Sequence, residues 1–258
     1  MDFKDDFKDV LYKEFYNFIK AKVEGQDPDY YGKDIHVSSL YGCLRANVMS
    51  QFPDKFKTRD KTLGEYLQMY IGTLAHTMLE DFAKCVSERI EFVFSEKDIS
   101  KYLPKGIAGR MDMLVKDKKT GKYYIVDLKT MRPNAFKYGN LVKDNYIAQT
   151  NTYKHGLVNM ASKYQDADIL LIAMDRSGTN DMQILDVPLI ETKEIENLIE
   201  QNLRALKLYE QVGELPDPVL PIVNVDGKRL PTKLTWQCDY CKFYKISCEG
   251  KDKIKCLM

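Results

Sequence analysis

The chain has 258 residues and carries 39 basic against 38 acidic side chains, a formal net charge of +1. Hydrophobic residues make up 44% and charged residues 30%, a globular composition that excludes a disordered or fibrous protein. No apolar run approaches the roughly 18 residues that span a bilayer, and the acidic, amphipathic N-terminus argues against a secretory signal. These features predict a cytoplasmic protein without a membrane partner, in which any nucleic-acid binding uses local basic patches.

Helical spacing of apolar residues dominates the first third of the chain. Residues 3–22 predict an amphipathic surface helix. Ser38 or Ser39 is placed to cap a second helix that runs through Leu44. Residues 62–88 carry apolar side chains at a helical period and predict one long helix.

The period then changes to one typical of strands, which alternate with two further helices. The predicted strands are 90–95, 106–115, 122–128, 168–175 and 181–189. The predicted helices are 143–158 and 192–212, and the segment KDKKTG at 116–121 predicts a hairpin turn. This order predicts an α/β fold in a single domain, residues 1–258, with a mixed central β-sheet flanked by helices.

Two carboxylates and a lysine fall on neighbouring predicted strands. Because residues i and i+2 of a strand share a face, Asp127 and Lys129 project together, and the adjacent strand can place Asp112 beside them. A fold tolerates close carboxylates chiefly when a cation lies between them, and Mg²⁺ and Mn²⁺ prefer such ligands. The alternative is an exposed ion pair, but apolar residues on both faces of 122–128 predict a buried strand. Metal, carboxylates and lysine together can hydrolyse a phosphodiester.

Two predicted helices carry further polar side chains with candidate roles. His76 lies on the long helix, with Glu80 one turn later on the same side. Imidazole is a common ligand for metal ions, whereas the alternative for a single helical histidine is a hydrogen-bonded, half-buried side chain. Gln149 and Tyr153 are spaced i, i+4 and share a face of the next helix, a pair that on its own would be an ordinary surface feature.

Taken in order, these residues resemble the motifs of the RecB-type nucleases of the PD-(D/E)XK superfamily. The resemblance covers about residues 70–155, with Asp112 in GRMD, Asp127 and Lys129 in VDLK, and Met111 where the superfamily's name has proline. It implies a restriction-endonuclease-like catalytic core within residues 62–190. It also implies metal ligands and catalytic groups at His76, Asp112, Asp127 and the backbone carbonyl of Leu128, with Lys129 acting on water, Gln149 and Tyr153 contacting DNA, and Glu80 as a further candidate at the metal.

Four of the six cysteines fall within residues 238–258, and such clustering favours metal chemistry. Cys238 and Cys241 form a Cys-x-x-Cys pair, and Cys248 follows after six residues. Zinc accepts four thiolates in a closed tetrahedral site, and iron–sulfur clusters are also held by cysteine thiolates. Cys85, on the long predicted helix, is most simply a small buried hydrophobic residue.

The cysteine pattern is similar to that of a subset of RecB-type nucleases, AddB and the CRISPR-associated Cas-four nucleases, in which one cysteine before the core joins three after it. The resemblance implies a four-iron four-sulfur cluster that joins segments 36–50 and 232–258, with zinc as the alternative. Its ligands would be Cys43, Cys238, Cys241 and Cys248, with Cys256 as an alternate last ligand. Arg45 would face either the cluster or a DNA phosphate.

Basic and aromatic residues interleave in segment 231–258, and a basic loop lies at 55–61. Such patches can bind single-stranded DNA, or can simply be solvated. No P-loop motif occurs, which excludes a P-loop NTPase and makes any helicase or integrase subunit a separate chain. The resemblance implies a DNA exonuclease or end-processing nuclease, acting on single-stranded DNA or free ends in recombination, repair or CRISPR adaptation. The alternatives are a catalytically weak DNA-binding accessory subunit and a zinc-stabilised protein without catalysis.

Overall fold

The computed structural model describes residues 16–17, 19–25, 34–84, 87–225, 227–230 and 237–249. The helix predicted at 3–22 therefore lies mostly outside the described residues, although 19–24 are helical. Cys85 and Cys256 also lie outside them.

A mixed five-stranded sheet in the order β2-β4-β5-β6-β7 forms the centre of the fold. Strands β5 and β6 are parallel, and the other neighbours in this sheet pair antiparallel. Two small pairs flank it, β1 with β3 in parallel and β8 with β9 antiparallel. The strands are β1 (Ile35–His36), β2 (Ile90–Asp98), β3 (Ile107–Ala108), β4 (Arg110–Asp117), β5 (Tyr123–Met131), β6 (Asp168–Asp175), β7 (Gln183–Asp186), β8 (Asn224–Val225) and β9 (Lys228–Arg229).

Helices cover both faces of this sheet. They are α1 (Leu44–Ser50), α2 (Leu63–Ala83), α3 (Pro133–Lys137), α4 (Asp144–Met160), α5 (Thr192–Val212) and α6 (Gln237–Tyr240). The main core joins α4 and α5 to one face, for example through Leu157 and Leu198 against Leu171. A smaller core packs Ala75 and Leu79 of α2 on the opposite face. The predicted α/β architecture is confirmed, and no helix of the described residues is long and apolar enough to cross a bilayer.

The second predicted helix differs from the structure at its start. Residues Val37–Ser39 form a single 3₁₀ turn, and α1 begins only at Leu44. Neither predicted serine caps it, because Cys43 occupies the N-cap position without a side-chain cap hydrogen bond. This start holds Cys43 at the junction between the turn and the helix.

Other predicted elements differ in extent, and β2 and β5 each run three residues past their predicted ends. Helix α2 ends at Ala83 rather than at residue 88, and Ser87 Oγ accepts from the backbone N–H of Ile90 where β2 begins. The strand predicted at 106–115 is two strands broken at Gly109, where a Cβ would lie 2.7 Å from Val37 Cγ2. The strand predicted at 181–189 shrinks to β7; Val187 still donates its backbone N–H to Ile169, and Pro188 after it has no N–H for the ladder.

Candidate metal centre and cysteine cavity

A histidine and two carboxylates from three elements meet at one end of the sheet. His76 comes from α2, Glu96 from β2 and Asp112 from β4. His76 Nδ1 lies 3.0 Å from Glu96 Oε1 and 3.7 Å from Asp112 Oδ2. The three side chains place one ligand atom each within 4.8 Å of one another, a spacing that suits a single divalent cation.

The separation of two strands positions Asp112. Strands β4 and β5 pair only as far as Met113 opposite Val126, after which β5 continues beside β6 alone. The backbone N–H of Leu128, freed from β4, donates instead to Asp112 Oδ2 at 2.8 Å. The opening between β4 and β5 thus holds the carboxylate of Asp112 at a fixed position beside the backbone of Leu128.

Asp127 and Lys129 project together from β5, as their spacing predicts. Asp127 is fully buried, and its Oδ2 lies 2.6 Å from Lys129 Nζ. The contact has the distance of an ion pair, but neither oxygen of Asp127 accepts a well-oriented hydrogen bond within the described part of the chain. Asp127 also lies outside the group of three ligand atoms around His76, so its predicted role as a metal ligand stays a prediction.

Glu96 was missed by the sequence analysis. It lies beyond the predicted end of a strand, and no motif marks it. Its φ of 46° is in the left-handed region, which is costly for a residue with a Cβ. This conformation occurs where Glu96 Oε1 contacts the ring of His76. A single sequence carries no signal for it beyond a carboxylate near the end of the strand next to the predicted motifs.

The electrostatics of the site favour a bound cation. Burial, and then the charge of Asp127, raises the pKa of Asp112 above its usual range. The hydrogen bond with Glu96 raises the pKa of His76 despite its burial. Burial alone would lower the pKa of Lys129, but the charges of Asp127 and Asp112 raise it. Two buried carboxylates that share one lysine are therefore incompletely neutralised, and these residues fit a hard divalent cation.

An open cavity of about 550 Å³ gives access to these residues. The cavity is lined by His76, Glu96, Asp112 and Lys129, together with Gln149 and Tyr153. Gln149 Nε2 donates to the hydroxyl of Tyr153 at 2.8 Å, so the two are held as one unit. Glu80 reaches the same cavity but does not belong to the close group at His76.

Comparison with protein families identifies the chain. A family model described as the PD-(D/E)XK nuclease superfamily matches residues 44–249, most of the chain. The chain belongs to this superfamily. Nucleases of the superfamily typically use divalent metals, in agreement with the histidine and carboxylates just described.

The chain was also compared with curated proteins and with solved structures. A comparison with curated proteins finds no match. Among solved structures, the crystal structure of LHK-Exo in complex with dAMP matches with a TM-score of 0.42 and 12% identity. The match covers 71% of this chain and 95% of that one.

A second cavity of this PD-(D/E)XK protein, about 260 Å³, is lined by all four predicted cysteine ligands. Cys43 precedes α1, while Cys238, Cys241 and Cys248 come from α6 and the loop after it. Within the described residues, no three of these Sγ atoms lie within 4.8 Å of one another. A tetrahedral zinc site with bonds of about 2.3 Å needs sulfur atoms about 3.8 Å apart. The four thiols therefore line one cavity without being drawn into a closed metal-binding arrangement.

The surroundings of Cys43 disfavour a free thiolate. Burial, followed by the charges of Cys241 and Cys248, raises its pKa to about 12. A thiolate at this position therefore needs a metal ion to stabilise it.

Arg45 has one contact that the sequence did not suggest, whereas its predicted position facing the cluster or a DNA phosphate stays a prediction. Its Nε donates to the backbone carbonyl of Pro216 at 2.6 Å. The guanidinium is therefore used to hold the segment after α5 against α1. The sequence could not reveal this contact because its partner is a backbone carbonyl 171 residues away.

Proposed function

We propose that this nuclease is a metal-dependent DNA exonuclease that hydrolyses phosphodiester bonds of single-stranded DNA or DNA with free ends. The observation that carries the proposal is the close group of His76, Glu96 and Asp112 beside Lys129 in one open cavity. A divalent cation held there would polarise the phosphate and activate a water molecule. The histidine and carboxylates would hold the ion, with Asp127 as a further predicted ligand and the Leu128 carbonyl as a backbone one.

Four further side chains of the cavity and of β5 would bind and orient the DNA strand and its phosphate. Lys129 presents an ammonium group to the cavity and stabilises the negative charge that develops on the phosphate. Asp127 holds that ammonium through the 2.6 Å contact. Gln149 and Tyr153 offer amide and hydroxyl groups that can orient the strand next to the scissile phosphate.

An intact Asp127–Lys129 pair favours catalysis over a role as an accessory subunit. A site that served only to hold DNA would have no use for a half-buried lysine beside a fully buried aspartate. Recombination, repair or CRISPR adaptation, with a helicase or integrase as partner, is the setting that the resemblance to AddB and the Cas-four nucleases implies.

We further propose that Cys43, Cys238, Cys241 and Cys248 hold a four-iron four-sulfur cluster. Their convergence on one cavity supports a shared metal group. The resemblance to AddB and the Cas-four nucleases favours a cluster over zinc, which four thiolates could also hold. Cys256 stays an alternate last ligand. Anaerobically purified protein should contain iron and acid-labile sulfide, and stoichiometric zinc without sulfide would overturn the cluster.

The nuclease is tested with end-labelled linear and covalently closed circular single-stranded DNA in Mg²⁺, Mn²⁺ or EDTA. The unaltered protein should degrade only the linear strand, and only with metal. Lys129→Ala and Lys129→Gln should abolish cleavage, whereas Lys101→Ala, at an exposed lysine outside the cavity, should not. Cleavage that persists in both Lys129 variants contradicts the assignment, and loss of the circle reveals endonuclease activity.

A further inference from the structure

Three basic residues lie together where β5 and β6 end. Met131 and Asp175 are the last register pair of these parallel strands, and Arg132 and Arg176 follow them directly. The backbone N–H of Arg176 donates to the carbonyl of Met131 at 3.0 Å, which keeps the two chain segments side by side. Lys143 joins them from the residue before α4. We call Arg132, Lys143 and Arg176 the basic cluster.

No acidic side chain forms an ion pair with the basic cluster within the described part of the chain. None of its members forms an ion pair or a side-chain hydrogen bond there. Asp175 is the nearest acidic neighbour in sequence to Arg176, but its two oxygens accept hydrogen bonds from Ser177, Thr179 and Asn180 instead. The charge of Asp175 still raises the pKa of Arg176, but the three cations outnumber it, and such a cluster favours a bound anion.

The three cations also act on one another. Burial, and then the charges of Arg176 and Arg132, lowers the pKa of Lys143. Burial, and then the charge of Arg132, lowers the pKa of Arg176. Mutual repulsion of this kind is relieved when a group with two or three negative oxygens binds between the cations.

Tyr146 connects the basic cluster to the active site. The ammonium groups of Lys129 and Lys143 each lie 5.6 Å from the centre of its ring. The two Nζ atoms are therefore at most twice that distance, 11.2 Å, apart. A stacked strand advances about 3.4 Å per nucleotide, so at most about three nucleotides span this distance.

We propose that Arg132, Lys143 and Arg176 form a phosphate-binding subsite for the DNA strand that Lys129 cleaves, within three nucleotides of the scissile bond. The inference rests on the proposed nuclease function for the identity of the strand. The phosphate is either an internal phosphodiester or a terminal phosphomonoester, since both present the same anionic oxygens. The first turn of α4 has no side-chain cap at Lys143, so its free backbone N–H groups also favour an anion, against which Asp144 in the same turn is the one opposing charge.

The test measures binding in EDTA, where metal-dependent cleavage does not occur. Fluorescence anisotropy gives the Kd of one labelled oligothymidylate that ends in a 5′-hydroxyl, a 5′-phosphate or a 3′-phosphate. The variants are Arg132→Gln, Lys143→Gln and Arg176→Gln. Lys163→Gln is the matched control, since Lys163 is exposed beyond the opposite end of α4. Melting temperatures check that each variant folds.

Each cluster variant should weaken binding about tenfold, the effect of one charged hydrogen bond. Each should also lower the slope of log K against log salt by about 0.7, the value for one phosphate contact on a single strand. Equal loss with all three strands assigns the subsite to an internal phosphodiester. Loss confined to one phosphorylated end assigns it to a terminal phosphate.

Cluster variants that bind with the affinity and salt dependence of Lys163→Gln overturn the proposal. Cleavage by the unaltered protein in Mg²⁺ is measured separately. A protein that binds through the cluster but never cleaves refutes the nuclease and leaves the subsite standing. A protein that cleaves while its cluster variants bind normally refutes the subsite alone.

Discussion

The metal centre and the cysteine cavity are both built from distant elements, but they differ in what holds them in place. His76, Glu96 and Asp112 lie on a long helix and two paired strands, whose positions are fixed by sheet register and by the core beneath α2. The last three cysteine ligands lie on the four-residue helix α6 and a short loop. We therefore expect the metal centre to keep its structure without its cation, whereas the cysteine cavity should depend on its bound group for its structure.

The strongest test of this difference is Asp112→Asn. We expect cleavage to fall by at least about 10³-fold, because a ligand and its charge are lost. The backbone N–H of Leu128 can still donate to the amide oxygen, and the repulsion with Asp127 disappears. Stability in EDTA should therefore rise by about 1 kcal/mol.

Activity assays and thermal denaturation of the same preparations check this prediction. The unaltered protein with and without Mg²⁺ is the control. A variant that loses both activity and stability would show that the carboxylate holds the fold rather than the cation.

Cys43→Ala tests the other half of the comparison. Cys43 and Cys238 are 195 residues apart, the difference between 238 and 43, so a group that joins them closes a very long loop. By analogy with a disulfide across such a loop, its loss should cost about 4–5 kcal/mol. The melting temperature should fall by about 10 °C, and the iron content should fall with it.

The measurement pairs calorimetry with iron and sulfide analysis. Asp112→Asn is the matched control, since it should keep its iron. If Cys43→Ala melts at the temperature of the unaltered protein, the C-terminal segment is held by its own packing, for example by the buried Phe243. That result would contradict the proposed difference in stability between the metal centre and the cysteine cavity.

Glu96 permits a finer test, because it combines a ligand atom with a costly backbone conformation. Glu96→Gln should weaken Mn²⁺ binding by about 10–100-fold, since the carboxylate charge beside His76 is lost. Glu96→Gly should be more stable than Glu96→Ala by about 1 kcal/mol, the reverse of the usual order in a strand, because φ is 46°.

Calorimetric titration with Mn²⁺ and chemical denaturation separate the two effects. Glu91, on the same strand but outside the metal centre, supplies the control Glu91→Gln. Normal Mn²⁺ affinity in Glu96→Gln would restrict the cation to His76, Asp112 and the other candidates.

The parts of the fold and of the site that the sequence predicted are those that depend on residues close together in the chain. The strand period placed Asp127 beside Lys129, and helical spacing placed Gln149 beside Tyr153, because both pairs depend only on local geometry. Glu96 could not be predicted, since its role depends on a left-handed φ and on the approach of α2. The cap of α1 was wrong for a similar reason, because tertiary contacts of the Val37–Ser39 turn outweigh the capping preference of serine.

One ion pair joins the two compared regions. Glu65 completes a capping box with Thr62 at the start of α2, and its carboxylate binds both terminal nitrogens of Arg59. The backbone N–H of Arg59 in turn donates to the carbonyl of Lys242, next to Cys241. The helix that carries His76 is therefore connected to the cysteine loop through this pair.

Glu65→Gln should have the smallest effect of the series and should reveal that connection. The hydrogen bond from Arg59, and then that from the backbone of Thr62, lowers the pKa of Glu65 from 4.5 to about 2. A depressed pKa stabilises the fold fully above the unfolded value of 4.5, and this contribution is lost as the pH falls toward 2. About a third of each side chain is exposed, so we expect the pair to contribute only about 0.5 kcal/mol to stability at pH 7.

The difference in stability between the unaltered protein and Glu65→Gln should be constant between pH 7 and about 5 and should shrink by pH 4. Asp60→Asn, an exposed neighbour, should show no such trend. Thermal denaturation over this range measures the difference, and a difference that grows as the pH falls would contradict the assignment. If Glu65→Gln also lowers iron content, the pair transmits the position of α2 to the cysteine cavity; if iron is retained, the two regions are energetically separate.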